Sequence, residues 1–266
     1  MVNNNPPSPA LGWKILLTVA FRTFFLEASW NFVGQQNLGF AAAVNPALKL
    51  VYQNRPSDLM AARKRASTFF NTNPVISGLV IGAALKIEEE KARGLINDHQ
   101  WKTLVITLAS TMAIYGDSLF WKTWLPFCCL IGFGLSFLAA AKGQLTLAPL
   151  LIPILYCALA WPIRVGGLFI GYRLGRNAYT AVKKYQITRF ALAIQMVSAF
   201  LIGYFTVRSV SFARKASGPN SDFFLLAFFL AILIPVLVQR IWPGLGPKTL
   251  FFLLVLGLGL ALAFFN

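Results

Sequence analysis

The 266-residue sequence predicts an all-α integral membrane protein, with broken or re-entrant helices followed by about three C-terminal transmembrane helices. Three observations predict this class. Hydrophobic residues make up 57% of the chain and charged residues 12%, against about 25% charged in soluble globular proteins. The formal net charge of +16 comes from Lys and Arg gathered between apolar stretches, at 55–65, 173–189 and 208–215. That is the placement of the positive-inside rule, so no nucleic-acid partner is expected. Near-continuous apolar runs at 190–207, 223–238 and 249–265 are separated by polar loops.

Residues 1–12, rich in Asn and Pro, read as a disordered tail without the basic leader and cleavage site of a signal peptide. Between 13 and 53, Phe21, Phe24, Phe25, Ala28 and Phe32 recur at helical spacing, and Glu27, Asn31 and Gln35 form a second, polar stripe. Pro46 is expected to end or kink the helix around it. Residues 54–72 are basic and polar, and 74–87 are apolar but shorter than the ~20 residues of a span. The latter read as re-entrant or interfacial.

Residues 103–141 are apolar but interrupted around Gly116 and Asp117, which predicts a discontinuous helix or hairpin at membrane depth. Residues 145–161 are broken by Pro149 and Pro153. The chain divides accordingly into a tail 1–12, a region 13–189 of amphipathic, re-entrant and embedded helices, and transmembrane helices 190–266. The loop 173–189 is more basic than 208–215, which places it in the cytoplasm and Asn266 outside.

Chemistry is sought first among the acids, because there are only 8. Asp117 lies between apolar runs, where a carboxylate marks a functional site or caps a helix N-terminus. Glu88, Glu89 and Glu90 point about 100° apart on a helix, so at most one or two reach an interior site. Glu89 stands four residues before Arg93, the spacing of a surface ion pair. Asn71 and Asn73 flank a turn before Pro74. Carboxylates, amides and aromatics together are what a sugar requires.

Reactive signatures are missing. His99 sits in a polar connection, and Cys128, Cys129 and Cys157 lie in apolar runs without metal-ligand spacing. No phosphate-binding loop or nucleophile elbow occurs. No catalytic residue, metal or cofactor is expected.

Several segments carry a family resemblance. Phe24-Phe25-Leu26-Glu27-Ala28-Ser29-Trp30-Asn31, Gln36-Asn37-Leu38-Gly39-Phe40 and Pro46-Ala47-Leu48 resemble the opening of the IID component of the mannose/fructose/sorbose phosphotransferase family. Phe69-Phe70-Asn71-Thr72-Asn73-Pro74, Glu88-Glu89-Glu90-Lys91-Ala92, Gly116-Asp117-Ser118-Leu119-Phe120-Trp121 and, more weakly, Gly171-Tyr172-Arg173-Leu174-Gly175 continue it in order. The resemblance implies a multi-pass subunit of the bacterial inner membrane. With a IIC subunit, in a higher IIC–IID oligomer, it would form the channel for a hexose phosphorylated by soluble IIA and IIB.

Glu27, Asn31, Gln36, Asn37, Asn71, Asn73, Glu88, Glu89, Asp117 and Ser118 are the resulting candidates for the substrate pathway or subunit contacts. Asn73 stands where the family usually has His, Lys122 where it has Gly, and Leu125-Pro126 where it has Arg–Pro. These departures fit an alternative role, a transport-inactive family member acting as a structural or regulatory membrane partner.

Overall fold

The computed structural model describes residues 10–145, 147–184 and 187–217. Among them the chain is helical, with two isolated β-bridges and no strand. By internal contacts it divides into a unit ending at Ser198 and a second beginning at Ala199.

Helix α1 (Trp13–Arg22) buries Leu16, Val19 and Ala20, and a 3-10 turn closes it at Thr23–Phe25. The chain then leaves helical geometry until α2 (Asn37–Val51). Helix α2 buries Gly39, Phe40, Ala43, Val44, Ala47, Leu48 and Val51, one face at helical period. It runs on past Pro46, so the proline does not end the helix. Helix α3 (Pro56–Ala66) begins on a proline, whose missing N–H would be unpaired there in any case. Asp58 in its first turn and Arg63, Lys64 and Arg65 in its last oppose the helix dipole.

Helix α4 (Ser77–Ala92) is the core element, buried on most of its faces. The apolar stretch 74–87 is therefore neither re-entrant nor interfacial: it joins the glutamate block in one packed helix. A sequence window sees its length, but its burial comes from neighbours distant in the chain. The main neighbour is α7 (Leu151–Leu174), which approaches because glycines face it. A Cβ on Gly78 would stand 1.9 Å from the Arg164 carbonyl oxygen, one on Gly82 2.0 Å from that of Leu168, and one on Gly171 2.0 Å from that of Leu79.

Helix α5 (Asp98–Gly116) opens with a reciprocal cap between Asn97 and Gln100. It passes through a π-helical stretch (Asp117–Trp124) into α6 (Leu125–Ala140). The expected break at Gly116 is thus a change of pitch without reversal. Gly116 keeps right-handed helical angles (φ −65°, ψ −45°), and the Thr123 hydroxyl donates to the Ser118 carbonyl, five residues back, at 2.8 Å.

A turn with Gly143 at φ 69° reverses the chain. A short 3-10 turn then leads into α7, which contains Pro162. Gly175 at φ 51° ends α7, and α8 (Ala178–Lys184) and α9 (Ile187–Ser217) come after it. The predicted basic loop 173–189 is therefore largely helical.

Three helical stretches are long and apolar enough to cross a membrane: Asp98–Ala140, Ala148–Lys183 and Arg189–Ser209. The all-α membrane class stands. The last stretch contains the expected span 190–207; those at 223–238 and 249–265 lie outside the described residues, as does residue 266. So do residues 1–9 of the expected tail. Leu11, within that tail, is buried.

Candidate functional site

The two carboxylates at the end of α4 are interior, Glu88 at 2% exposure and Glu89 at 0%. Glu88 faces α2 and α3. Tyr52 Oη donates to its Oε1 at 2.6 Å and Arg65 Nη2 at 2.6 Å. Arg65 Nη1 also reaches Asp98 at 3.0 Å, and Lys91 Nζ pairs with the same Asp98 oxygen at 2.9 Å. Burial first, then the Glu88 charge, pushes the Tyr52 phenol well above its ordinary value. Burial disfavours the Arg65 cation, but Glu88 outweighs it and holds the guanidinium pKa above its usual value. These side chains line a cleft of about 320 Å³ with Arg55.

Glu89 faces the opposite way. It accepts from Tyr172 Oη, from Lys86 Nζ at 2.9 Å and from the Leu11 backbone N–H at 3.1 Å. The pairing expected with Arg93 is replaced by Lys86, one turn earlier, because Glu89 points into the core. Glu90 pairs with Arg176.

A second polar group runs through the non-helical segments 26–36 and 69–76. Helical spacing suggested a stripe of Glu27, Asn31 and Gln35. Instead Asn31 and Gln35 exchange backbone hydrogen bonds at 3.1 and 2.9 Å, closing a tight loop with Gln35 at φ 57°. The phenylalanine face dissolves likewise, since Ala28 and Phe32 lie in turns. Gln36 is buried and clasps Thr72, donating to its carbonyl at 2.8 Å and accepting from its N–H at 2.9 Å. The Gln36 amide also donates to exposed Glu27 at 3.2 Å.

Buried Asn73 donates to Asp117 Oδ1 at 2.9 Å and accepts from the Val75 N–H at 3.0 Å. A Cβ on Gly116 would meet the Asn73 Cβ at 2.3 Å, so glycine lets the two segments touch. Asp117 is not an N-cap: it lies inside a continuous helical passage, exposed beyond its Asn73 contact.

The structure therefore joins Glu27, Gln36, Asn73 and Asp117 along one track, while Glu88 and Glu89 belong to separate clusters. Asn31 donates to Asn37 Oδ1 at 2.9 Å, Asn37 donates to the Ser67 carbonyl at 2.8 Å, Asn71 is exposed, and Ser118 is half-buried. Tyr52, Arg65 and Tyr172 were missed from sequence. The signal was the scarcity of acids: a buried glutamate needs donors, and basic 54–72 could supply one. Arg164 was missed too; its guanidinium lies 4.9 Å over the Phe24 ring, with Nε buried and lacking a hydrogen-bond partner. Amides and carboxylates of this kind can bind hydroxyls and hold segments together.

Comparison with known proteins gives a consistent picture. The family described as the PTS system mannose/fructose/sorbose family IID component matches residues 11–262. The mannose-specific EIID component of Escherichia coli K12 is 33% identical over 158 residues, 59% of this chain and 54% of that protein. The sorbose-specific EIID component of Klebsiella pneumoniae is 30% identical over 189 residues, covering 71% and 67%. The chain spans about half the length of the mannose-specific relatives it matches. A cryo-EM structure of the mannose transporter ManYZ with microcin E492 has a TM-score of 0.58 at 28% identity, covering 73% of this chain and 70% of that one.

Proposed function

The chain belongs to the mannose/fructose/sorbose family of phosphotransferase-system IID components, and from that premise we propose that it is the IID membrane subunit of a bacterial sugar permease. With a IIC subunit, in a higher IIC–IID oligomer in the inner membrane, it forms the channel for a hexose of the mannose, fructose or sorbose type. Soluble IIA and IIB phosphorylate the sugar as it enters. The chain contributes no catalytic group. The observation that carries this reading is the family match from residue 11 to 262, across all three stretches long enough to span.

The assay is uptake of labelled mannose, fructose and sorbose by cells lacking their own permeases and supplied with IIA, IIB, IIC and this chain. Uptake of at least one sugar, abolished when this chain is omitted, is expected. Co-purification with IIC but no uptake of any sugar would favour the alternative, a transport-inactive partner. That second reading rests on the motif departures at Asn73, Lys122 and Leu125-Pro126. Failure to assemble with IIC would sink the permease reading.

A further inference from the structure

The loop between α1 and α2 displays apolar side chains on a rigid frame. Phe32 is 87% exposed and Val33 90%, with Trp30 and, across the adjoining segment, Phe69 also exposed. Yet the backbone beneath them is pinned. Besides the paired Asn31–Gln35 bonds, the Asn31 side chain accepts from the Gly34 N–H at 2.7 Å, and Trp30 Nε1 donates to Gln35 Oε1 at 3.0 Å. The Phe70 N–H reaches the Gly34 carbonyl at 3.2 Å, the Gln36 N–H reaches the Phe70 carbonyl at 2.9 Å, and the Trp30 ring meets Phe32 edge-on at 4.9 Å. This is a preorganised knob, which loses little conformational entropy on docking.

The backbone of the loop indicates its cover. The N–H groups of Phe32 and Val33 donate to no described residue. Through Gln36–Thr72 and Asn73–Asp117 the loop is fastened near the middle of the 98–140 helix, the longest of the spanning stretches. Hydrocarbon cannot satisfy free N–H groups, and non-helical backbone at membrane depth persists only against protein or a wet cavity. Water would satisfy the amides but leave the adjacent apolar side chains bare. A protein wall offering both apolar surface and carbonyl acceptors meets both demands.

We propose that Trp30, Phe32 and Val33 form the anchor by which this subunit plugs into its membrane-embedded IIC partner. The inference rests on the permease reading above and adds the surface it uses. Two measurements test it, with IIC of the same system co-expressed. First, Phe32→p-benzoylphenylalanine is irradiated in membranes. An adduct with IIC is expected; an adduct only with residues 218–266 of this chain, or none with protein, overturns the proposal in favour of self-cover or lipid. Second, F32S/V33S is co-purified with IIC beside the native chain. At least a tenfold drop in IIC recovery is expected, with F32L retaining recovery and the thermal unfolding of the isolated variant unchanged. Native recovery by F32S/V33S while IIC still binds the native chain overturns the anchor alone. If the native chain itself recovers no IIC, the permease reading and the anchor fall together.

Discussion

Arg65 donates to two carboxylates from different elements, Glu88 on α4 and Asp98 at the start of α5. Removing it by R65M leaves Glu88 buried with Tyr52 Oη as its remaining donor. Losing one partner of a buried pair costs about 3–5 kcal/mol, whereas replacing both with apolar groups is often nearly neutral. Thermal unfolding in detergent should place R65M well below the native chain and R65M/E88L between them; equal loss in both variants would refute the pairing account. Tyr52 adds a pH signature. Its folded pKa is raised, so its contribution is full below the unfolded value of about 10 and is lost as pH rises above it. Y52F should flatten that alkaline loss. At Asp117, D117A orphans the buried Asn73 amide at about 1–3 kcal/mol, while D117N keeps an acceptor for it. A folded D117N that assembles with IIC yet fails in sugar uptake would assign the charge to transport.

Among elements, α4 and α7 meet backbone to backbone, so the interface tolerates almost no added volume. Overpacking costs typically about 1–3 kcal/mol, and here a new methyl would strike a carbonyl, which cannot rotate away as a side chain would. G82A and G171A should each lower the unfolding temperature, while G166A, whose Cβ would meet nothing within 4 Å, should not. A silent G82A would mean the helices slide apart at little cost. Element identity was legible where periodicity was strong, as in α2 and the apolar part of α5. Loop 26–36 was misread because Glu27, Asn31 and Gln35 recur at helical spacing, yet their hydrogen bonds go to a tight turn and to residue 72. The acids were flagged correctly as the informative residues. Their partners were not, since Glu88–Arg65 and Glu89–Tyr172 are 23 and 83 positions apart and no local pattern announces them. The π-helical stretch has no propensity signature either, so a Gly-Asp pair between apolar runs read as a break.

At the scale of the molecule, the helices decide which end faces the cytoplasm. The 98–140 stretch is 43 residues, about 64 Å at 1.5 Å per residue, roughly twice the ~30 Å hydrocarbon core. One end of it must therefore stand outside the bilayer. The 148–183 stretch returns alongside, and the Glu90–Arg176 pair ties its far end to the α4–α5 junction. Arg55, Arg63, Lys64, Arg65, Lys91, Arg93, Arg173 and Arg176 all belong to that end; the turn 141–147 at the opposite end carries Lys142 alone. The positive-inside rule places the crowded end in the cytoplasm, the side the sequence assigned to 173–189. His99 and Lys142 are exposed at the two ends, so each reports on one side. In a chain whose three native cysteines are replaced by alanine, K142C should react with an impermeant maleimide in intact spheroplasts. H99C should react only after the membrane is opened. The reverse pattern would invert the subunit and move the Arg65–Glu88 cluster to the outer face, away from any soluble phosphocarrier.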